Sequence, residues 1–208
     1  MSKVPTPAPN SPPSFRGGAD PGRLDELLSE LRAMLTQQAH DVQERWNRSL
    51  PFADYIVDRW EKARMLGFGE GTSIYDSALV LGDVRVGLNT WIGPFTVLDG
   101  SGGLSIGSYC SISAGVQIYS HDSVQWAVTG GSSPTDYAST MVCDQCYIGP
   151  NTVIAKGVRI GAGSIIGANS LVLSDIPENS TAVGTPCRVV GVARVDHDPL
   201  SNDTGTSS

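Results

Sequence analysis

The chain has 208 residues, enough for one sizeable domain with a small appendage. Its 21 acidic side chains outnumber 14 basic ones, leaving a net charge of -7, and no Lys/Arg cluster stands ready to neutralise phosphates, which argues against a nucleic-acid binder. No apolar run approaches the ~20 residues that span a bilayer, and the opening "MSKVPTPAPNSPPS" lacks the apolar segment of a secretory signal, so no membrane insertion and a cytoplasmic location are expected.

Residues 1–19 are rich in Pro, Ser and Gly, the composition of a disordered tail. "ADPGRLDELLSELRAML" then predicts a helix, with Asp20 as N-cap, Pro21 in the first helical position and acidic residues in the first turns. Leu24, Leu27, Leu28, Leu31, Met34 and Leu35 fall at helical spacing and form its apolar stripe. A second helix is expected from Pro51 to Leu66, burying Phe52, Ile56, Trp60 and Ala63 and stopping at Gly67. Residues 20–67 thus read as a helical N-terminal region whose stripes are packing surfaces, suited to closing the open end of the domain that begins at residue 68. Residues 193–208 read as a polar C-terminal tail.

Between them, residues 68–192 hold a repeat of period six. One register runs Ile74, Val80, Val86, Ile92, Leu98, Leu104. Two extra residues around "DGSGG" shift it to Ile106, Ile112 and Ile118; after an interruption it resumes as Val142, Ile148, Ile154, Ile160, Ile166 and Val172. Four residues after the aliphatic sits a small or branched side chain: Thr90, Thr96, Cys110, Val116, Thr152, Val158, Ser164, Ser170. Neither an amphipathic helix nor an alternating strand produces a period of six. A triangular coil does, with a short strand on each face, a turn at each corner and the aliphatic pointing into the prism. Three hexads make a coil of about 18 residues, and coils stack at roughly the 4.8 Å strand spacing. The expected fold is therefore mainly β, a parallel β-helix of the hexapeptide kind. The four cysteines, Cys110, Cys143, Cys146 and Cys187, give no disulfide framework; "CDQC" has the spacing of a metal or redox motif but neither setting, and its position in the repeat register favours a structural reading.

"ISAGVQIYSHDSV", "YIGPNTVIAKGVRIGAGSIIGANSLVLSDIP" and "VGTPCRVVG" resemble the hexapeptide-repeat acyltransferases, and within them the galactoside and maltose O-acetyltransferases and sugar acetyltransferases of polysaccharide pathways. The resemblance covers about Gly82 to Val190, and its most specific part is the closing motif Gly184-Thr185-Pro186-Cys187-Arg188-Val189. It implies a left-handed parallel β-helix, a handedness that the spacing does not show and that runs against the usual crossover rule. It also implies a homotrimer with acetyl-CoA bound in the groove between columns, transferring acetyl to a hydroxyl of a sugar or glycan acceptor without a metal. The N-terminal helices depart from that group's pattern, which leaves the acceptor open.

The interruption, residues 119–141, opens with "YSHDSVQWAVTGG". A coil extrudes a loop at a corner without disturbing its core, and loops of this length are usually functional or disordered. In the resembling enzymes such a loop covers the active site and its leading histidine is the base, which assigns that role to His121. The chemistry suits a histidine, which accepts a proton near neutral pH as an alcohol or amine attacks a thioester. His40, in the first helix, and His197, in the C-terminal tail, read as bystanders. Asp122 either orients the imidazole or binds acceptor hydroxyls, although adjacent side chains of extended chain point opposite ways. Asp99 lies near the family's acceptor-binding aspartate, and that family's asparagine falls near Pro94 here. Trp126 and Tyr137 are candidates to stack on a sugar ring, or to anchor the loop on a neighbouring subunit. For coenzyme A, Pro150 and Ala168 match the positions flanking the pantetheine arm, with Gly149 and Gly167 beside them. Arg188 matches a basic position, Ser174 and Gly191 replace two others, and Lys156 and Arg194 are available for phosphates.

The expected function is a coenzyme A-dependent O-acetyltransferase. The alternatives are N-acyl transfer to a nucleotide-linked amino sugar and a non-catalytic hexapeptide scaffold. A metalloenzyme of the carbonic anhydrase kind needs about three histidines at its metal, and the repeat region contains only His121.

Overall fold

The computed structural model describes residues 21–193; readings made for residues 1–20 and 194–208, among them the Asp20 cap, the N-terminal tail, nearly all of the C-terminal tail, Arg194 and His197, lie outside the described residues. The described residues fall into two compact units, divided between Ser49 and Leu50. In the first, helix α1 spans Pro21–Trp46. Of its apolar stripe, Leu24, Leu27, Leu28 and Met34 are exposed while Leu31 and Leu35 are half-buried.

The second unit opens with a 3-10 turn, Phe52–Tyr55, followed by the short helix α2, Arg59–Met65. These replace the single helix expected from Pro51 to Leu66. Asp58 is the reason: its carboxylate accepts hydrogen bonds from the N–H groups of Trp60 and Glu61 at 3.0 and 2.8 Å, a cap that starts a fresh helix in mid-segment. Phe52, Ile56 and Trp60 are consequently exposed, and of the four residues expected in the core only Ala63 is buried. Gly67 ends α2 at φ +74 as expected. Ala63 and Phe68 join the core cluster that contains Ile74, so α2 covers the first coil of the column.

The column is a parallel β-solenoid of three faces. The first face stacks six rungs: Ser73–Ile74, Trp91–Ile92, Ser111–Ile112, Tyr147–Ile148, Ile165–Ile166 and Ser180–Val183. The second stacks 79–80, 97–98, Gln117–Ile118, Val153–Ile154 and Leu171–Val172. The third stacks 84–86, 104–106, Thr140–Val142 and Arg159–Ile160, with a bridge from Ile160 to Ile176. The aliphatics of the period-six register point inward. Ile92, Leu98, Ile118, Ile148, Ile154, Ile160 and Val172 are all at most 2% exposed. Each such side chain contributes roughly 1.5–3 kcal/mol on burial, so this stack is the main stabilising term.

One corner shows why the six-residue unit closes. Gly71, Asn89, Tyr109, Gln145, Gly163 and Asn179 stack there with φ between +50 and +75. A Cβ on Gly71 would lie 2.1 Å from the side-chain oxygen of Asn89, so glycine is favoured there unless that amide turns aside. Beside this turn, Thr72, Thr90, Cys110, Cys146 and Ser164 are buried and each donates its hydroxyl or thiol to a carbonyl at the same corner of the next coil: those of Gly87, Gly107, Cys143, Gly161 and Pro177. Cys110 and Cys146 therefore occupy hydroxyl positions of a ladder. All four cysteines are free, and the half-buried Cys143 accepts a hydrogen bond from the Arg159 guanidinium at 2.9 Å. At the far end, Arg188–Val192 pairs antiparallel with Ser180–Val183 and covers the edge of the first face.

The interruption leaves the corner between the second and third faces after Ile118 and returns at Thr140. It is an arm with two short antiparallel strands, His121–Asp122 and Asp136–Tyr137, and a five-residue helix α3, Val124–Val128. At the same corner of the preceding coil the register slips by the two extra residues of "DGSGG".

Candidate active site

Leu98 and Ile118 are paired rungs of the second face, so Asp99, one residue beyond Leu98, comes to lie beneath the start of the arm. Asp99 is 1% exposed. Its Oδ1 accepts hydrogen bonds from the Ser101 hydroxyl at 2.6 Å and the Ser101 N–H at 3.0 Å. Its Oδ2 accepts the Ser120 N–H at 3.0 Å and lies 2.5 Å from His121 Nδ1. The insertion builds this cradle. Gly102 donates its N–H to Ser120 Oγ at 2.8 Å, and a Cβ on Gly102 would fall 2.3 Å from the Ser120 carbonyl oxygen. Burial alone would raise the Asp99 carboxyl. Hydrogen bonds from the Ser101 hydroxyl, the Ser120 and Ser101 N–H groups and His121 outweigh it and hold the group at about 2.

An ionised carboxylate only accepts, so the proton between Asp99 and His121 belongs to Nδ1. In the neutral imidazole the lone pair then falls on Nε2, the tautomer that a general base needs. The ring is about one-third exposed and lines an open cleft of about 500 Å³ together with Tyr119, Asp122, Val153, Ala155 and Lys156. Tyr137, the partner of His121 across the arm, stacks against the imidazole with ring centroids 5.8 Å apart and planes at 26°.

Asp99, read from the sequence as near the family's acceptor-binding aspartate, is buried with its Oδ2 against His121 Nδ1. Asp122 does not reach the imidazole: its Oδ1 accepts the Val124 N–H at 3.1 Å and its Oδ2 is 2.9 Å from Lys156 Nζ. Lys156 also pairs with Asp136, so its ammonium is engaged by two carboxylates. Hydrogen bonds to Asp136 and Asp122 raise the lysine, and the bond from Lys156 lowers Asp122. Trp126 is exposed on α3 and does not line the cleft. His40 is an exposed residue of α1 facing Glu44 at 3.9 Å.

Of the positions assigned to coenzyme A, Gly149, Pro150, Gly167 and Ala168 lie at the corner between the first and second faces, whereas Lys156 lines the histidine cleft. Gly149 is buried there, and a Cβ would meet the Ala168 nitrogen at 2.5 Å; a Cβ on Gly167 would meet Val183 Cγ1 at 2.6 Å. Both glycines serve the stacking of coils. Pro150 and Ala168 sit on the outside of adjacent coils, tied by the Asn169 N–H to the Pro150 carbonyl at 2.9 Å, and the small Ala168 is exposed. Arg188 is exposed beyond them. Among the described residues no group of three or more His, Cys, Asp or Glu side chains is placed to hold a metal ion, and no helix is long and apolar enough to cross a membrane. Ser101 and Ser120 escaped the sequence reading. The signal for them was the two-residue insertion, which falls directly after a carboxylate one rung below the histidine.

Residues 139–174, six hexads, match the family model described as bacterial transferase hexapeptide (six repeats). Over these residues the chain is similar to the hexapeptide-repeat transferases. Among curated relatives of this hexapeptide column, a 2,3,4,5-tetrahydropyridine-2,6-dicarboxylate N-acetyltransferase of Staphylococcus aureus is 36% identical over 66 residues, covering 32% of this chain and 28% of that protein. A galactoside O-acetyltransferase of Lactococcus lactis is 50% identical over 46 residues, covering 22% of each. The chain thus spans about a quarter of the length of the curated relatives it matches. Among solved structures, AntD, an N-acyltransferase from Bacillus cereus in complex with dTDP and 3-hydroxybutyryl-CoA, superposes with a TM-score of 0.53 at 20% identity over 66% of this chain and 92% of that one. That likeness establishes the shared fold.

Proposed function

We propose that this protein is a coenzyme A-dependent acyltransferase that moves acetyl from acetyl-CoA to a hydroxyl of a sugar or glycan, with His121 as general base. The observation that carries the reading is the pairing of buried Asp99 with His121 at the edge of an open cleft. His121 Nε2 takes the hydroxyl proton as the acceptor oxygen bonds to the thioester carbonyl carbon. Asp99 stabilises the imidazolium that forms, as a buried carboxylate does behind a catalytic histidine. When the carbon–sulfur bond breaks, the imidazolium returns the proton to the departing thiolate, so His121 ends neutral. Acetyl-CoA supplies the activated acyl group; Pro150, Ala168 and Arg188 are the residues placed to receive its arm and phosphates, the first two by being small or compact at the corner. The acceptor enters on the Tyr137 side, with Trp126 as a second candidate platform. The active form is a homotrimer, the neighbouring column supplying the second wall of the cofactor groove.

His121→Ala is expected to slow free-thiol release from acetyl-CoA by at least about a hundredfold, while calorimetric affinity for coenzyme A stays near wild type. Undiminished turnover in a folded His121→Ala protein would remove the mechanism. The second reading is N-acyl transfer to a nucleotide-linked amino sugar; the N-acetyltransferase relative supports nitrogen as the acceptor atom. A panel of galactoside, maltose, glucosamine and dTDP-4-amino-4,6-dideoxyglucose separates the two by which acceptors release thiol.

A further inference from the structure

The arm that carries the histidine is too small to hold itself. Its ladder is two residues long, His121 opposite Tyr137 and Asp122 opposite Asp136, and a lone two-stranded ribbon is marginal in water. The second pair makes it worse, because like charges directly opposite one another destabilise a ladder. Both carboxylates converge on one cation: Lys156 Nζ lies 2.9 Å from Asp122 Oδ2 and also pairs with Asp136 Oδ2. Lys156 is not part of the arm. It stands at the same corner of the next coil, two residues after Ile154, and its side chain is only 19% exposed, against 38% and 62% for the two aspartates. Two further bonds lie alongside, from the Gly157 N–H to the Ala138 carbonyl at 3.2 Å and to Thr140 Oγ1 at 3.0 Å. The rigid column therefore reaches up and neutralises the one pair that would otherwise push the arm open. That same ladder sets Tyr137 against the imidazole.

We propose that Lys156 is a positioning residue for His121: by joining Asp122 and Asp136 it clasps the arm shut and holds the Tyr137–His121 stack at the cleft. Its place is then on the acceptor side of the reaction, not among the cofactor's phosphate contacts. This rests on the reading of the cleft as the acyl-transfer site, but the clasp itself is testable without catalysis.

Three full-length variants decide it: Lys156→Met, Asp136→Asn and the double variant. Hydrogen exchange of the arm peptide spanning 121–139 is read first. Lys156→Met is expected to speed that exchange about tenfold or more, because two facing carboxylates lose their counter-charge; the double variant, with one of those charges removed, returns to within about threefold of wild type. Exchange unchanged in Lys156→Met, or a double variant as fast as the single one, overturns the clasp. Thiol release from acetyl-CoA with the most active acceptor of the panel is read second. Lys156→Met is expected to raise the acceptor KM about tenfold and leave the acetyl-CoA KM within about twofold, with partial recovery in the double variant. A rise confined to the acetyl-CoA KM would make Lys156 a cofactor contact and overturn the proposal. If wild type releases no thiol with any acceptor, the acyl-transfer reading fails, and with it the assignment of Lys156 to the acceptor side, whereas the exchange result still decides the clasp.

Discussion

At the scale of single residues, the informative group is Asp99, because it decides which nitrogen of His121 carries the proton. Asp99→Asn keeps the shape but offers an amide that can donate to Nδ1 and so favour the wrong tautomer. The expected outcome is a fall in kcat on the order of 10²–10⁴-fold with little change in the acetyl-CoA KM, measured by steady-state thiol release. The same carboxylate gives a pH signature in stability. Its folded value of about 2 lies below the ordinary carboxylate value near 4, so its contribution is present above about pH 4 and is lost as pH falls toward 2. Urea melts of wild type and Asp99→Asn are thus expected to differ most at pH 5–7 and to draw together progressively as pH falls from 4 toward 2; a gap at pH 2 as wide as that at pH 6 would contradict this origin. The place of His121 at the onset of the arm was legible because it stands where the six-residue beat stops. The partnership with Asp99 was not, since the two are brought together only by the pairing of Leu98 with Ile118 and by the cradle that Ser101 and Ser120 complete.

At the scale of elements, the rungs are interchangeable in sequence but not in tolerance. Ile148 is completely buried between rungs at Ile112 and Ile166, so Ile148→Ala leaves a cavity that a stacked column cannot collapse around; a loss of about 2–5 kcal/mol is expected in equilibrium unfolding. Gly149→Val is expected to be worse than its exposed neighbour Ala168→Val, because the first places a side chain against the backbone of the next coil. Thermal melts of the pair check the order. These faces were readable because every inward position carries an aliphatic and the period is unlike any other regular structure. Helix α2 was not read correctly, because the apolar spacing from Phe52 to Ala63 continues through a segment that Asp58 divides by capping its own helix. The clasp escaped for a different reason. Lys156 looks like any surface cation until the arm folds back over the next coil and sets Asp122 and Asp136 beside it.

At the scale of the whole molecule, the outer surface of the first face carries Trp91 and Tyr147, both exposed, with Phe95 exposed at the adjoining corner in a left-handed conformation that a bulky side chain rarely adopts. If three columns associate along such surfaces, Trp91→Glu is expected to shift light scattering from a three-chain to a one-chain mass and to weaken coenzyme A binding at least tenfold, because the groove loses a wall. Retention of the three-chain mass would place the association elsewhere. The cysteine rungs of the corner ladder have a practical corollary. Cys110 and Cys146 begin consecutive rungs of the first face, Ser111–Ile112 and Tyr147–Ile148, and each is 2% exposed, whereas Cys143 is half-buried. A thiol reagent added to the native protein should mark Cys143 first and reach the other two only while those floors of the stack are parted. The lag between the two labelling events is a built-in stopwatch for how often the tower opens midway along its height.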